Sequence, residues 1–125
     1  MEKFVIQEEL KNCPSIVYYA DINKLELVGR SIPENPDMIF RRLDEWITQH
    51  FEKNKGLDVN IQLEYINSGS SKYLYEILKR LTGYGRSGNN VNIKWQYEED
   101  DEAMLELGEH YRDTAGIPLE IKMIV

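Results

Sequence analysis

The chain contains five segments with the residue pattern of β-strands and three with that of amphipathic helices. The strand segments are rich in β-branched and aromatic residues or alternate between apolar and polar ones, and they are residues 15–19, 24–28, 58–66, 91–97 and 119–125. A turn-like Asp-Ile-Asn separates the first two, which predicts a β-hairpin. Phe4 to Ile6 is a candidate for a short additional edge strand, and the element order given below leaves it out.

The helices are predicted from apolar residues that recur three or four positions apart. The first is expected to begin at Asn35-Pro36, with Asn as the cap and Pro at the first helical position, and to run to about Lys53. The second follows a polar stretch, and the glycine-rich segment 83–90 is predicted to end it. The third is expected to begin at Asp100 or Asp101.

The predicted order of elements is β-β-α-β-α-β-α-β. Strands that alternate with helices after an opening hairpin indicate an α/β fold with a mixed, mostly parallel sheet. Residues 58–66 alternate strictly, whereas a parallel strand buried on both faces is apolar throughout. We therefore expect the helices to pack mainly on one face of the sheet, in a single domain spanning residues 1–125.

Composition restricts the partners. The 125 residues include 22 acidic and 15 basic side chains, which gives a formal net charge of −7. Proteins that coat nucleic acid usually present a basic surface, and anionic lipid also attracts Lys and Arg. We therefore expect neither nucleic acid nor a membrane as a partner. The single cysteine, Cys13, and the lack of a signal-peptide pattern predict a cytoplasmic protein without an internal disulfide.

Most candidate chemical motifs have simpler structural interpretations. Residues 83–88 match G-x-G-x-x-G, but they follow a predicted helix and precede a strand, the reverse of a dinucleotide site. We interpret them as a turn. His50 and His110 lie outside any metal-binding spacing and are interpreted as solvent-facing helix residues. The acidic run 98–102 is interpreted as charge that complements a helix dipole. We predict no catalytic residue, metal site or cofactor.

The segment NSGSSK at 67–72 is the strongest candidate for a functional site. It joins the end of a predicted strand to the start of a helix, where ligands collect in open α/β sheets and where unpaired N–H groups favour phosphate. The residues alone leave three roles open for a serine here: it caps the helix, it binds a phosphorylated ligand, or it is itself phosphorylated. In the second case the chain is a small phosphometabolite-binding domain or enzyme.

Several sequence blocks, together with the order of elements, resemble the SiaC family of bacterial regulatory phosphoproteins, which are similar to the STAS domains of anti-sigma-factor antagonists. The blocks are GRSIPEN at 29–35, YINS at 65–68 with Ser70 and Lys72, WQY at 95–97, and LGE at 107–109. The resemblance extends over nearly the whole chain. It implies a STAS-like fold and a non-catalytic, partner-switching role.

The resemblance also implies a modification site and its partners. In the family, a Ser/Thr kinase and a PP2C-type phosphatase set the phosphorylation state of one residue, and the unphosphorylated form activates a diguanylate cyclase in the best-known system. That residue corresponds to Ser68, although the family often has Thr followed by Ser where this chain has Ser68 and Gly69. The implied partner-binding residues are Asn67, Ser68, Gly69, Ser70 and Lys72.

Overall fold

A computed structural model describes residues 3–124, which form one six-stranded sheet and three helices. The strands are β1 (Lys3–Gln7), β2 (Ser15–Tyr19), β3 (Lys24–Ser31), β4 (Gly56–Ile66), β5 (Asn90–Glu98) and β6 (Leu119–Ile124). The helices are α1 (Asp37–Lys53), α2 (Ser68–Arg86) and α3 (Glu102–Asp113). Within this part of the chain, no helix combines the length and the apolar character needed to cross a membrane.

The strands lie in the sheet in the order in which they occur in the chain. β1, β2 and β3 pair antiparallel, whereas β3, β4, β5 and β6 pair parallel. Each of the three helices connects two neighbouring parallel strands, as parallel pairing requires. The predicted mixed, mostly parallel sheet is therefore confirmed.

A single core lies between the sheet and all three helices. Val59 and Ile61 of β4 are buried in this core, and the polar residues that alternate with them, such as Asp58, lie on the opposite face. Leu43 and Ile47 of α1 are fully buried against the sheet. Each such side chain stabilises the fold by about 1.5–3 kcal/mol relative to an exposed one. Packing of the helices mainly on one face, as predicted from the alternation in β4, is confirmed.

The candidate edge strand at Phe4 to Ile6 is confirmed as β1, which the predicted element order left out. β1 pairs with β2 through Val5 and Val17, and its register shifts between Val5 and Gln7. Three of its five residues are exposed. A strand of five residues that has a register shift and few buried side chains shows almost no alternation of apolar and polar residues. The sequence pattern that would predict it is therefore weak.

Two predicted helix boundaries were wrong. α1 begins at Asp37, with Pro36 rather than Asn35 in the cap position, and no side-chain hydrogen bond caps this end. α2 continues through Gly83 and Gly85 to Arg86, although the segment 83–90 was expected to end it. The aromatic ring of Tyr84 stacks on Phe51 of α1 at a centroid distance of 4.1 Å. This packing outweighs the low helix propensity of the neighbouring glycines.

The two histidines differ in their surroundings. His110 is exposed, as predicted, but His50 is buried and stacks on Trp46 at a centroid distance of 4.8 Å. The Nε2 atom of His50 lies 2.9 Å from the carbonyl oxygen of Gly56. The prediction that His50 faces solvent was wrong, because the apolar face of α1 is wide enough to include it.

Candidate functional site

The site predicted at residues 67–72 is formed where β4 ends and α2 begins. Asn67 has an extended backbone and is the N-cap of α2. Its Oδ1 atom accepts a hydrogen bond from the backbone N–H of Ser70 at 2.9 Å, and its carbonyl oxygen accepts one from the N–H of Ser71 at 2.9 Å. Asparagine, and not a serine, therefore caps the helix, which leaves the serines available for other roles.

Asn67 also fixes the start of α2 to the segment that follows β3. Its backbone N–H donates to the carbonyl oxygen of Ser31 at 3.0 Å, and its side-chain Nδ2 donates to the carbonyl oxygen of Pro33 at 3.3 Å. The two sequence blocks 29–35 and 65–68 are therefore in direct contact. One asparagine side chain holds both the helix and the neighbouring loop in position.

The serines of the turn have very different environments. Ser68 is exposed, and its hydroxyl makes no hydrogen bond within the described chain. Ser70 is fully buried, and its Oγ has no hydrogen-bond partner among the described residues. The Oγ of Ser71 lies 2.7 Å from the Oη of Tyr111 on α3. A kinase needs an accessible hydroxyl, and in this turn Ser68 supplies it.

The first turn of α2 is electropositive. The N–H groups of Ser70 and Ser71 are used by Asn67, and within residues 3–124 no hydrogen-bond partner is found for those of Ser68 and Gly69. This turn contains no acidic residue that could complement the helix dipole. Lys72, one turn further on, is exposed and has no acidic side chain within salt-bridge distance in the described structure. The arrangement favours an anion near Ser68.

The beginning of α1 lies on one side of the turn. A Cβ atom placed on Gly69 would lie 3.6 Å from the Cγ of Pro36, an ordinary contact distance. Tyr73 donates a hydrogen bond to Asp37 at 3.3 Å. Met38, in the first turn of α1, is 61% exposed. Pro36, Asp37 and Tyr73 were not predicted as site residues, because they are distant from Ser68 in the sequence or lie beyond the polar motif.

α3 lies on the other side and is joined to the turn through Tyr111. The Oη of Tyr111 donates to the carbonyl oxygen of Ser71 at 2.9 Å. Burial raises the pKa of Tyr111, and the hydrogen bond with Ser71 opposes that shift only in part. In the sequence Tyr111 gave only the signal of an apolar helix position. The hydroxyl of a buried tyrosine usually finds a hydrogen-bond partner, and this was the one indication in the sequence that Tyr111 contacts a polar group.

The acidic run 98–102 has the structural role predicted for it at the start of α3. Asp101 is the N-cap, and its side chain accepts a hydrogen bond from the backbone N–H of Met104 at 3.1 Å. Glu102 lies in the first turn. Within the described residues, no group of three or more His, Cys, Asp or Glu side chains is arranged to hold a metal ion.

Comparison with known proteins identifies the family. A family model described as the SiaC family regulatory phosphoprotein matches residues 7–124, almost the whole chain. The chain belongs to the SiaC family. A Pseudomonas aeruginosa protein, PA14_02130 of strain UCBPP-PA14, is 26% identical over 113 residues, which are 90% of each chain. Family membership gives the chain a regulatory role and not a catalytic one, as the sequence blocks implied.

Solved structures of SiaC from Pseudomonas aeruginosa have the same fold. One is 25% identical with a TM-score of 0.86 and covers 99% of this chain and 100% of that one. Another, 24% identical with a TM-score of 0.87, covers 97% and 99%, and there SiaC is in complex with the diguanylate cyclase SiaD, which it activates. The agreement over nearly the full length of both chains confirms the architecture of six strands and three helices.

Proposed function

We propose that this chain is a partner-switching regulator whose binding is controlled by phosphorylation of Ser68. The observation that carries the proposal is the position of Ser68, exposed in the first turn of α2. The neighbouring Ser70 is fully buried, and the hydroxyl of Ser71 is bonded to Tyr111. In a family of regulatory phosphoproteins, Ser68 is thus the hydroxyl of this turn that a kinase can reach.

The proposed contact surface is the turn itself. Asn67, Ser68, Gly69 and Lys72 are partly or fully accessible and can meet a partner directly. Ser70 belongs to the same proposed site, but it is fully buried and therefore packs beneath the surface of the turn without meeting a partner directly. Without phosphate, this surface is neutral except for Lys72 and the end of the helix dipole.

A phosphate on Ser68 changes the charge of this surface. It adds about −1.5 to −2 charges at neutral pH, together with three strong hydrogen-bond acceptors. The turn supplies donors for part of the phosphate, but a partner surface that fits the neutral turn supplies none, so the rest of the charge loses its water on binding at a cost of several kcal/mol. Phosphorylation is therefore expected to release the partner.

The proposed partner is a diguanylate cyclase. Support comes from the SiaC of Pseudomonas aeruginosa, which has the same fold over 97% of this chain and is found in complex with such an enzyme. A Ser/Thr kinase and a PP2C-type phosphatase are proposed to add and remove the phosphate, as family resemblance implies. In this scheme, the chain transmits the balance between those two activities to the production of a cyclic dinucleotide.

Mass spectrometry tests the modification site. The purified protein is incubated with ATP and the Ser/Thr kinases of its source organism, and phosphopeptides are mapped. We expect one phosphate, on Ser68, which is lost in Ser68→Ala and retained in the control Ser71→Ala. Phosphate found only on other residues, or none with any kinase, would contradict the assignment.

Binding to the cyclases of the source organism tests the switch. Ser68→Ala is expected to bind as the unphosphorylated protein does, and Ser68→Glu to bind more weakly. Ser87→Glu is the matched control, because Ser87 is also exposed but lies at the opposite end of α2. Equal effects of the two glutamate substitutions would indicate that net charge, and not the position of Ser68, controls binding.

A further inference from the structure

A shallow groove lies between α2 and α3 and begins at Ser71 and Lys72, about one helical turn after Ser68; we name it the α2–α3 groove. Its lining includes Ser71, Lys72, Tyr75, His110, Tyr111 and Ala115, and most of the lining surface is apolar. None of the lining residues is acidic, although 22 of the 125 residues in the chain are. The groove therefore differs in charge from the molecule as a whole.

Lys72 is the cation at the edge of this groove. Two other basic residues of α2 have acidic neighbours, since Lys79 lies 3.9 Å from Glu76 and Arg80 is paired with Asp44, whereas none is found in the described chain for Arg86 at the far end of the helix. Within residues 3–124, no such neighbour is found for Lys72. Its ammonium group can therefore pair with an external carboxylate without first losing an internal partner.

The groove on the other side of α2, between α1 and α2, has a different character. Its lining includes five charged residues, which are Asp37, Arg41, Asp44, Glu76 and Arg80, in addition to apolar and aromatic ones. Each of these charges has a partner within the chain: Asp37 pairs with Arg41, Asp44 with Arg80, and Glu76 with Lys79. Because its charges are already satisfied within the chain, this second groove selects no charge in a partner, whereas the α2–α3 groove does.

We propose that the α2–α3 groove receives an acidic segment of the partner, with Lys72 paired to one of its carboxylates and an apolar side chain seated against Tyr75. This inference rests on the proposed function and specifies the chemistry of the partner. The interaction combines apolar burial with one charge pair at the rim, a common arrangement for a specific but reversible contact.

The same geometry explains how phosphorylation acts on this groove. Ser68 and Lys72 are four residues apart on α2 and therefore lie on the same face, one turn from each other. A phosphate on Ser68 gives Lys72 an internal partner and makes the local net charge negative. The acidic segment then loses its cation and meets like charge. Phosphorylation thus releases the partner without any need for a change of fold.

Charge substitutions on the full-length unphosphorylated protein test the inference against the cyclase that binds the wild type. We expect Lys72→Glu to weaken binding by about tenfold or more, because it replaces the attraction to the partner's carboxylate by repulsion. Lys72→Gln only removes the attraction and is expected to weaken binding by about threefold. Lys55→Glu is the matched control, since Lys55 is exposed just before β4, at the end of that strand opposite to the Ser68 turn. We expect it to change the affinity by less than about twofold.

A second variant tests the α3 side of the groove. Ala115→Glu places a negative charge opposite Lys72 and is expected to weaken binding by about fivefold. The inference would be overturned if Lys72→Glu and Ala115→Glu bind as tightly as the wild type while Ser68→Glu still binds more weakly. The proposed function would then still hold. If no cyclase binds the wild type, both fail. Circular dichroism verifies that each variant is folded.

Discussion

The first turns of α2 and α3 are built alike but carry different charge. Each is capped by a side-chain oxygen that accepts a hydrogen bond from the backbone N–H three residues later. Asn67 accepts from Ser70, and Asp101 accepts from Met104. At α3 the cap is a carboxylate and Glu102 lies in the first turn. At α2 the cap is neutral and the first turn has no acidic residue. In a chain of net charge −7, that absence is unexpected.

The two helix ends differ in whether negative charge at the N-terminus is permanent. At α3, permanent negative charge complements the dipole and the end serves stability. At α2, the position that would hold such a charge is occupied by the exposed serine Ser68. In the proposed function, a kinase adds there the negative charge that α3 has permanently. The two helix ends should therefore respond differently to substitution, to salt and to phosphate.

The largest effect is expected when the same substitution is made at a glycine of each helix. A Cβ atom on Gly108 of α3 would lie 2.6 Å from the Cδ1 of Trp95, which is buried. Gly108→Ala is therefore expected to lower the free energy of unfolding by about 2–3 kcal/mol through overpacking. Gly69→Ala of α2 has room beside Pro36 and is expected to be neutral or to stabilise by up to about 1 kcal/mol.

Urea unfolding monitored by Trp fluorescence measures both changes. The indole Nε1 of Trp95 donates to the carbonyl oxygen of Met104 at 3.0 Å, so displacement of the ring also breaks a buried hydrogen bond. Equal stability of Gly108→Ala and wild type would contradict the close packing of α3 on β5. A large loss in Gly69→Ala would contradict the open surface described at α2.

Removal of the two caps is expected to give the next largest effect. Asn67→Ala should lower the free energy of unfolding by about 1–2 kcal/mol, because the cap and the bond to Pro33 are both lost. Asp101→Ala should cost about 1 kcal/mol. Adding 0.5 M NaCl should reduce the effect of Asp101→Ala and leave that of Asn67→Ala unchanged, since only the former removes a charge. The same salt response in both variants would remove the proposed distinction.

The contact between α3 and the α2 turn is tested through Tyr111. Tyr111→Phe is expected to cost about 1 kcal/mol at neutral pH, because the hydrogen bonds with Ser71 are lost. Burial raises the pKa of Tyr111 above its usual value of about 10. Above pH ~10 the unfolded chain ionises this group first, which lowers the stability of the wild type but not of the variant. The difference between the two should therefore shrink; parallel stability curves would show that Tyr111 is not buried as described.

The smallest effect is expected from phosphate itself on stability. Phosphoserine at position 68 should raise the free energy of unfolding by about 0.3–1 kcal/mol at low ionic strength, because it complements the dipole of α2. Lys72→Gln should reduce this gain by about 0.2–0.5 kcal/mol, the usual value of a charge pair four residues apart on a helix. Thermal unfolding in 20 mM and 500 mM salt measures it. Destabilisation of the phosphorylated form would instead indicate that the modification unfolds the turn.

The sequence was sufficient to predict the architecture, because that depends on regular hydrophobic patterns. Helix α1 and strand β4 bury one face each, and their spacing is visible in the chain. β1 was missing from the predicted order, since most of its side chains are exposed. The end of α2 was misplaced, because the stacking of Tyr84 on Phe51 is a tertiary contact that local glycine content does not reveal.

The candidate site was predictable in position but not in detail. The position of the strand-to-helix junction at 67–72 followed from the element order. The identity of the N-cap did not, because the asparagine and the serines of this segment can all cap a helix, and the backbone geometry decides among them. The burial of Ser70, the bond between Ser71 and Tyr111, and the contact of Gly69 with Pro36 all involve elements brought together only by folding. These contacts distinguish Ser68 from the other serines.

Genetic incorporation of phosphoserine at position 68 gives protein in which every molecule is modified. Its affinity for the cyclase that binds the unmodified chain is measured by titration calorimetry. The modified protein is expected to bind at least about tenfold more weakly, a loss of about 1.4 kcal/mol or more. Equal affinities of the two forms would contradict the proposal that phosphate on Ser68 controls the partner.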